Sequence, residues 1–268
     1  MIKDITLGQF FPGDSVIHRL DPRIKLVLTV FVIVALFLVG NFAGFLLFVA
    51  LFAYVTAASR IKPSVVFKSI KPLLFVILLT AAFNVFYGGG EVIFASVSWL
   101  KWLKWGGVRN AAFMAIRIIL LIISTSFLTY TTSPVMLTDA IERLMGPLKK
   151  IKVPVHEFAM MMTIALRFIP TLVDETEKII NAQKARGADF ETGNIVRRAK
   201  ALIPIMIPLI VSAFRRAEEL ADAMECRCYH GGDGRTRYKQ YSLALRDYIA
   251  LFVSALLLAA VIVLNILI

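Results

Sequence analysis

Five apolar runs, each at or above the length needed to cross a bilayer as a helix, dominate this chain of 268 residues. They cover Ile24 to Gly40, Phe42 to Ser59, Val65 to Tyr87, Arg109 to Tyr130 and Leu243 to Ile268. A spanning helix needs about 20 predominantly apolar residues, with about 17 as the lower limit. The runs lack the alternation typical of a transmembrane β-barrel, so helices remain as the way to satisfy the backbone in lipid. The sequence therefore predicts an all-α, polytopic membrane protein with about five transmembrane helices.

The composition agrees with a chain that lipid solvates. Hydrophobic residues make up 59% and charged residues 18% of the chain, which is too apolar for a soluble domain. The net charge of +12 needs no nucleic acid to explain it, because an orienting bias and attraction to anionic headgroups suffice. No signal peptide is visible, since Met1 to Asp21 lacks a compact apolar stretch before a small-residue cleavage site.

Lysine and arginine are distributed unevenly between the two predicted sides of the membrane. They precede the first run, separate the second from the third, and are dense from Thr131 to Tyr241. The opposite side holds essentially only Lys101, Lys104 and Arg109. The positive-inside rule therefore predicts a cytoplasmic N-terminus and an extracellular C-terminus. On that topology Cys226 and Cys228 face the cytoplasm, which argues against a structural disulfide.

Three tryptophans, Trp99, Trp102 and Trp105, alternate with lysines in the loop between Gly88 and Gly107. This pattern predicts a short helix lying in the membrane interface, because tryptophans anchor there and lysines face headgroups. A tryptophan-lined binding pocket is the alternative.

The charge pattern divides the chain into three parts. Residues 1–130 hold the N-terminal segment and four membrane helices, residues 131–242 form a cytoplasmic domain of amphipathic helices, and residues 243–268 form the C-terminal membrane helix. In the middle part, a short helix is expected from Ser133-Pro134 to Gly146-Pro147. Two long helical segments follow, from Pro154 to Gly187 and from about Asn194 to Cys228, each about 50 Å long if fully helical. The short link between them predicts antiparallel or crossing neighbours.

Three prolines interrupt the apolar halves of these long segments. Pro170 lies in the first, and Pro204 and Pro208 lie in the second. Because a proline inside a helix removes a hydrogen bond, the sequence predicts bends at these hinge positions, where the helices leave the inner membrane face.

Each long segment ends in an arginine set between two small residues, Ala185-Arg186-Gly187 in the first and Cys226-Arg227-Cys228 in the second. Small neighbours allow close approach of another surface, and the arginine fork suits carboxylates, so the pair predicts two equivalent docking points for soluble partners. Ordinary C-capping is the alternative, because Gly187 can adopt the left-handed conformation and an arginine favours the helix C-terminus. Cys228 is expected to be a poor left-handed cap, which favours docking.

Five methionines concentrate in the middle part of the chain: Met136, Met145, Met160, Met161 and Met162. Methionine is flexible and polarizable, so this surface is predicted to accept an exchangeable partner, with core filling as the alternative.

Other chemistry is not favoured by the sequence. Cys226, Cys228 and His230 fall one ligand short of a structural zinc site, so no metal is expected. The chain has no Walker-type glycine loop and is predicted not to hydrolyse ATP.

Two further groups of charged or polar residues are considered as sites. The cluster of His18, Asp14 and Asp21 contains no nucleophile, so a histidine packed in the fold is favoured over a catalytic one. Arg117, inside the fourth run, either pairs with another subunit or snorkels to the outer interface.

The N-terminal string from Ser15 to Leu26, Ser-Val-Ile-His-Arg-Leu-Asp-Pro-Arg-Ile-Lys-Leu, resembles the opening signature of the transmembrane T component of energy-coupling factor (ECF) transporters. The two arginine motifs resemble that family's pair of ATPase-contact motifs. The resemblance implies an L-shaped, all-helical protein of the bacterial cell membrane. It also implies a coupling subunit rather than an enzyme, an integral membrane enzyme acting on lipid-linked substrates being the alternative.

The same resemblance implies the partners. Coupling helices would join two ABC-type ATPases to a membrane S component that captures a vitamin or similar micronutrient. Arg186 and Arg227 would each insert into an ATPase groove and meet acidic side chains. ATP and Mg²⁺ would be bound by the ATPases, with no cofactor in this chain. Cys226 and Cys228 depart from the family pattern, which has alanine and glycine or another small residue there.

Overall fold

The computed structural model describes residues 10–87, 105–190, 194–232 and 241–267. All regular secondary structure in these ranges is helical, which confirms the all-α prediction. The helices are α1 (Pro22–Leu38), α2 (Phe42–Ser59), α3 (Pro63–Ile70), α4 (Leu74–Tyr87), α5 (Trp105–Thr131), α6 (Pro134–Leu144), α7 (Val155–Ala185), α8 (Ile195–Glu225) and α9 (Leu245–Leu267). Short 3₁₀ turns, Lys71–Leu73 and Gly146–Ile151, follow α3 and α6.

Among the described residues, four helical stretches are long and apolar enough to cross a membrane: Phe42–Ser59, Pro63–Phe86, Trp105–Thr131 and Leu245–Leu267. They confirm the polytopic membrane prediction. The third stretch contains α3, its 3₁₀ turn and α4, so the predicted third run is one continuous helical path. With 17 residues, α1 is at the lower limit for spanning, about 25 Å by helical rise.

The helices group into two compact units, with the boundary inside α6. The membrane unit comprises Gly8–Ala140 and Gln240–Ile268, and the paired-helix unit comprises Ile141–Lys239. The L shape implied by the family resemblance stays a prediction.

In the membrane unit, α5 packs against α1, α2, α3 and α4, while α1 and α2 also contact α9. The core is aliphatic and aromatic: Leu36 and Phe48 are fully buried, and Phe52 stacks on Phe127 with the ring centroids 6.1 Å apart. The outer faces of α2, α4 and α9 expose many large apolar side chains. Surfaces of this kind are stable in lipid and unfavourable in water, so the arrangement fits a membrane solvent.

The end of α1 is capped by side chains of two other helices. Arg117 of α5 donates from Nη2 to the Val39 carbonyl at 2.8 Å. Asn265 of α9 accepts from the Gly40 N–H at 3.0 Å and donates to the Leu38 carbonyl. The last carbonyls of a helix have no partner within it, and in an apolar surrounding they need one. Arg117 therefore has a hydrogen-bond acceptor within the chain, at the end of α1.

Candidate docking site at two helix ends

The long helices α7 and α8 lie side by side in the paired-helix unit. The Glu175 carboxylate of α7 accepts hydrogen bonds from Ser212 and Arg216 of α8. Nearer the end of α7, Gln183 donates to the Pro204 carbonyl at 3.5 Å, the longest of these contacts. Residues later in α7 therefore contact residues earlier in α8, which means that the two helices run antiparallel. The sequence predicted either antiparallel or crossing helices, and the antiparallel arrangement is the one observed.

This arrangement separates the two arginine motifs. Arg186 lies one turn beyond Gln183, whereas Arg227 lies more than six turns beyond Pro204. At a rise of about 1.5 Å per residue, the two arginines are about 35–40 Å apart along the helix pair. The predicted bounds of both long segments agree with the observed helices to within three residues.

The α7 end is closed by backbone hydrogen bonds around Gly187. The Gly187 N–H donates to the Lys184 carbonyl and the Ala188 N–H donates to the Gln183 carbonyl, both at 3.0 Å. Gly187 has φ of +86°. These features define a Schellman motif, which satisfies two carbonyls that the helix itself leaves open.

The α8 end repeats this motif residue for residue. The Cys228 N–H donates to the Glu225 carbonyl at 2.8 Å and the Tyr229 N–H to the Met224 carbonyl at 3.0 Å. Cys228 occupies the left-handed position with φ of 55°. Cys228 therefore serves as the left-handed cap, although cysteine was expected to be a poor residue for this position. The backbone bonds outweigh the strain of placing a Cβ in that region, which is about 1–2 kcal/mol.

Arg186 and Arg227 consequently occupy equivalent positions in the two Schellman motifs, each directly before the left-handed residue, and both arginines are exposed. The small residues on either side are exposed as well, Ala185 and Gly187 at one end and Cys226 and Cys228 at the other. Capping involves only the backbone, so it leaves both guanidinium groups available. Capping and docking are thus not exclusive interpretations.

The N-terminal signature forms a buried polar network in the membrane unit. Asp21 caps α1, since its Oδ1 accepts from the Arg23 N–H at 2.9 Å and its Oδ2 from Arg23 Nη2 at 2.6 Å. The Asp21 N–H in turn donates to Oδ1 of Asp247, at the start of α9, at 2.9 Å. Asp247 is only 3% exposed, and its Oδ2 accepts from the Ala244 N–H at 2.8 Å.

Lys25 completes this network from the first turn of α1. Its Nζ donates to the Thr131 carbonyl at the end of α5 at 2.8 Å and to the His18 carbonyl at 3.1 Å. Lys25 is 6% exposed, and a buried ammonium is tolerated only when its donors are satisfied. The signature therefore joins the start of α1 to the end of α5 and the start of α9, which is a structural role.

His18 belongs to the same signature. Its Nε2 lies 3.0 Å from the Phe11 carbonyl, which only accepts, so Nε2 carries the proton and Nδ1 accepts from the Ser15 hydroxyl at 2.7 Å. Burial lowers the pKa of His18 and is the largest effect on it. The hydrogen bond to the Phe11 carbonyl opposes this lowering, and the nearby Lys25 charge adds a smaller lowering. His18 is thus a packed, neutral side chain, as the sequence favours.

Comparison with known proteins identifies the relatives of this chain. A family model described as CbiQ, cobalt transport protein, matches residues 13–238. The energy-coupling factor transporter transmembrane protein EcfT of Clostridium kluyveri is 53% identical over 254 residues, 93% of each chain. Its counterpart in Ruminiclostridium cellulolyticum is 51% identical over 266 residues, 99% of this chain and 98% of the relative. The counterpart in Lactococcus lactis subsp. cremoris is 43% identical over 266 residues, 99% and 97% of the two chains.

The chain belongs to the family of energy-coupling factor transporter transmembrane proteins. It is therefore a membrane-embedded transport protein, the transmembrane component of a multi-subunit transporter. The family match spans both arginine motifs and the whole signature from Ser15 to Leu26.

In this energy-coupling factor component, the five predicted methionines are not equally accessible. Met161 and Met162 are 57% and 41% exposed, beside the exposed Phe158 on α7, whereas Met136, Met145 and Met160 are half-buried. The predicted adaptable surface is thus best represented by Met161 and Met162.

A larger exposed apolar stripe lies on α8, within the apolar half of the second long segment that the sequence places at the inner membrane face. Its members repeat in pairs every four residues and are each about half exposed or more: Leu202, Ile203, Met206, Ile207, Ile210, Val211 and Phe214. The four-residue spacing was the available signal, since it places the pairs on one helical face. A stripe of this size in the paired-helix unit is typical of a protein or membrane contact.

The three hinge prolines lie inside uninterrupted helices. α7 continues through Pro170, and α8 continues through Pro204 and Pro208. Their predicted bending role stays a prediction.

Within the described ranges, no three His, Cys, Asp or Glu side chains are grouped to hold a metal ion. Cys226 and Cys228 are free, exposed thiols. The predicted interfacial helix at Trp99 and Trp102 lies outside the described residues, whereas Trp105 begins α5 and is 66% exposed.

Proposed function

We propose that the chain is the coupling and scaffold subunit of an ECF-type ABC importer and has no enzymatic activity of its own. Two ABC-type ATPases dock at Arg186 and Arg227, and ATP-driven motion passes through α7 and α8 to a membrane S component that binds a vitamin or other micronutrient. ATP and Mg²⁺ are bound by the ATPases, and this chain needs no cofactor. The observation that carries the proposal is the repeated, exposed arginine end on two antiparallel helices.

Docking and the helix dipole would contribute very different energies at the two guanidinium groups. An exposed arginine at a helix C-terminus gains about 0.3–1 kcal/mol from the helix dipole. Insertion into a partner groove with a carboxylate is a desolvated, hydrogen-bonded charge pair, and truncating one member of such a pair costs about 2–5 kcal/mol. Exposed small neighbours at each end let a groove close over the arginine. The spacing of about 35–40 Å leaves room for one ATPase at each end.

The exposed apolar faces of the paired helices support a second contact. The α8 stripe offers one apolar surface. Met161 and Met162 of α7 offer a second, adaptable one, about 15–35 Å from the stripe along the helix pair in the antiparallel register. Both surfaces suit the S component. Long unbranched methionines repack against differently shaped partners, which an exchangeable subunit requires.

Docking by cytoplasmic ATPases requires the predicted orientation, with a cytoplasmic N-terminus and an extracellular C-terminus in the bacterial cell membrane. Labels placed at Asn41 and Ile268 should react with a membrane-impermeant thiol reagent on intact cells, and a label at Gly193 should not. These labels are introduced into a chain without Cys226 and Cys228. The native thiols give an internal check, because in the unmodified chain they should react only after the cells are opened. The reverse pattern would exclude cytoplasmic docking.

The docking proposal is tested by copurification of the assembled transporter. Arg186→Ala and Arg227→Ala should each weaken ATPase retention at one end by at least about 30-fold in affinity, the equivalent of about 2 kcal/mol. The double variant should insert into the membrane normally but lose both ATPases and transport. Arg167→Ala on α7 and Arg215→Ala on α8 are matched controls, because both arginines are exposed in the same helices away from the ends. Full retention of both ATPases by the double variant would reduce the arginines to helix caps.

A further inference from the structure

The chain leaving α8 packs against the beginning of α7. A Cβ built on Gly232 would lie 2.4 Å from Cδ2 and 2.8 Å from Cγ of His156. Real Cβ atoms do not approach so closely, so the Gly232 backbone lies directly against the imidazole ring and no larger residue fits. Gly231, one residue earlier, has φ of +94° and makes the turn that brings Gly232 there.

The His156 ring is itself held in place. Its Nδ1 lies 3.0 Å from Oε1 of Glu142, near the end of α6, and the two side chains are only 21% and 11% exposed. The neighbouring Val155 and Ala159 of α7 are buried, at 3% and 6% exposed. The ring therefore offers a rigid surface, and the Glu142 carboxylate fixes its orientation.

The segment between Arg227 and Gly232 is thus fixed at both ends. The hydrogen bonds of Cys228 and Tyr229 to the last turn of α8 hold one end, and packing of Gly232 on His156 holds the other. Only four residues separate Arg227 from Gly232, so a shift at His156 acts directly on the capped turn.

We infer that His156 is a positioning residue for the Arg227 docking end: through Gly232 it holds the exit of α8 so that Arg227 is presented to its ATPase in a single orientation. This role rests on the proposed docking function. A preorganised end binds better, because less conformational freedom is lost when the partner closes over it. Weakening the His156 contact should therefore weaken docking at Arg227 and leave docking at Arg186 unchanged.

The first experiment needs no partner. Hydrogen exchange of residues 226–232 is measured by mass spectrometry on the purified full chain in detergent. His156→Ala and Gly232→Ala should each speed exchange there by about fivefold or more, because local opening becomes easier. Gly146→Ala is the matched control, since a Cβ at Gly146 meets nothing within 4 Å. His156→Gln, which keeps a donor for Glu142, should restore part of the protection. Equal exchange in wild type, His156→Ala and Gly232→Ala would overturn the inference.

The second experiment is a double-mutant cycle on ATPase retention. His156→Ala should add little to Arg227→Ala, because both act on one docking end, and should be additive with Arg186→Ala. Gly232→Ala replaces His156→Ala if the latter fails to insert, and the same pattern is expected. If Arg186→Ala and Arg227→Ala leave retention intact, the docking function itself fails, whatever the exchange data show. If they weaken retention but His156→Ala and Arg227→Ala are additive, only the positioning role fails.

Discussion

Exchanging the residues at the two left-handed positions should change the two helix ends in opposite directions. Cys228 and Gly187 occupy the same place in the same backbone motif, with φ of 55° and 86°. Only glycine adopts this region without a steric penalty. Cys228→Gly should therefore stabilise the end of α8, and Gly187→Cys should destabilise the end of α7.

The magnitude follows from two opposing terms. A Cβ in the left-handed region costs roughly 1–2 kcal/mol, while glycine costs about 0.4–1 kcal/mol through the greater freedom of the unfolded chain. The difference predicts a gain of about 0.5–1 kcal/mol for Cys228→Gly and a loss of similar size for Gly187→Cys. A Cβ at Gly187 would meet nothing within 4 Å. The stability lost in Gly187→Cys would therefore come from backbone strain alone and not from a clash with neighbouring atoms.

The assay is amide hydrogen exchange at Tyr229 and Ala188, whose N–H groups close the two motifs on the Met224 and Gln183 carbonyls. A change of about 0.5–1 kcal/mol alters local opening by about two- to fivefold. Exchange at Tyr229 should slow in Cys228→Gly, and exchange at Ala188 should quicken in Gly187→Cys.

Cys228→Ala is the decisive control, because it removes the thiol and keeps the Cβ. This variant should leave Tyr229 exchange near the wild-type rate. Equal protection in Cys228→Ala and Cys228→Gly would refute backbone strain as the source of the effect. Faster exchange at Tyr229 in Cys228→Gly would show that the entropic cost of glycine exceeds the strain that its Cβ-free backbone relieves, and would refute the predicted gain.

Three further predictions concern the membrane unit. Lys25→Met keeps the apolar stem but leaves the Thr131 and His18 carbonyls without a donor, so it should lower the free energy of unfolding in detergent by about 2–4 kcal/mol. The control Lys62→Met, at an exposed lysine, should have little effect, and equal losses in the two variants would contradict the role of Lys25. Asn265→Leu removes the acceptor of the Gly40 N–H, so it should cost about 0.5–1.5 kcal/mol and speed exchange of the Gly40 amide; unchanged Gly40 exchange would contradict the role of Asn265. Stability should also fall as the pH drops below about 6.5, because the lowered pKa of His18 means that the unfolded chain binds the proton first. His18→Gln should flatten this part of a pH-dependent unfolding curve, and an identical curve would assign the dependence to another group.

Local features of this protein could be read from its sequence because they depend on neighbours a few residues away. Phe42–Ser59 was predicted and observed with the same bounds, since an uninterrupted apolar run between Gly40-Asn41 and Arg60 has one way to satisfy its backbone in lipid. The repeated arginine ends were visible for the same reason: a Schellman motif uses only bonds between residues three to five apart. The left-handed conformation of Cys228 was not predicted, because residue preference argued against it and the recurrence of the backbone motif overrode that preference.

Contacts between distant segments were decided only by the tertiary structure. Asp21 and Asp247 are 226 positions apart, and Lys25 and Thr131 are 106 apart. The neighbouring sequence does not indicate whether such charged side chains will bond within the protein or to water, because each bond forms only after α1, α5 and α9 have packed together. The same is true of Arg117 at the end of α1 and of Gly232 against His156. Sequence determines helices because their hydrogen bonds are local, whereas buried charges and close backbone contacts take their partners from the packing of helices far apart in the chain.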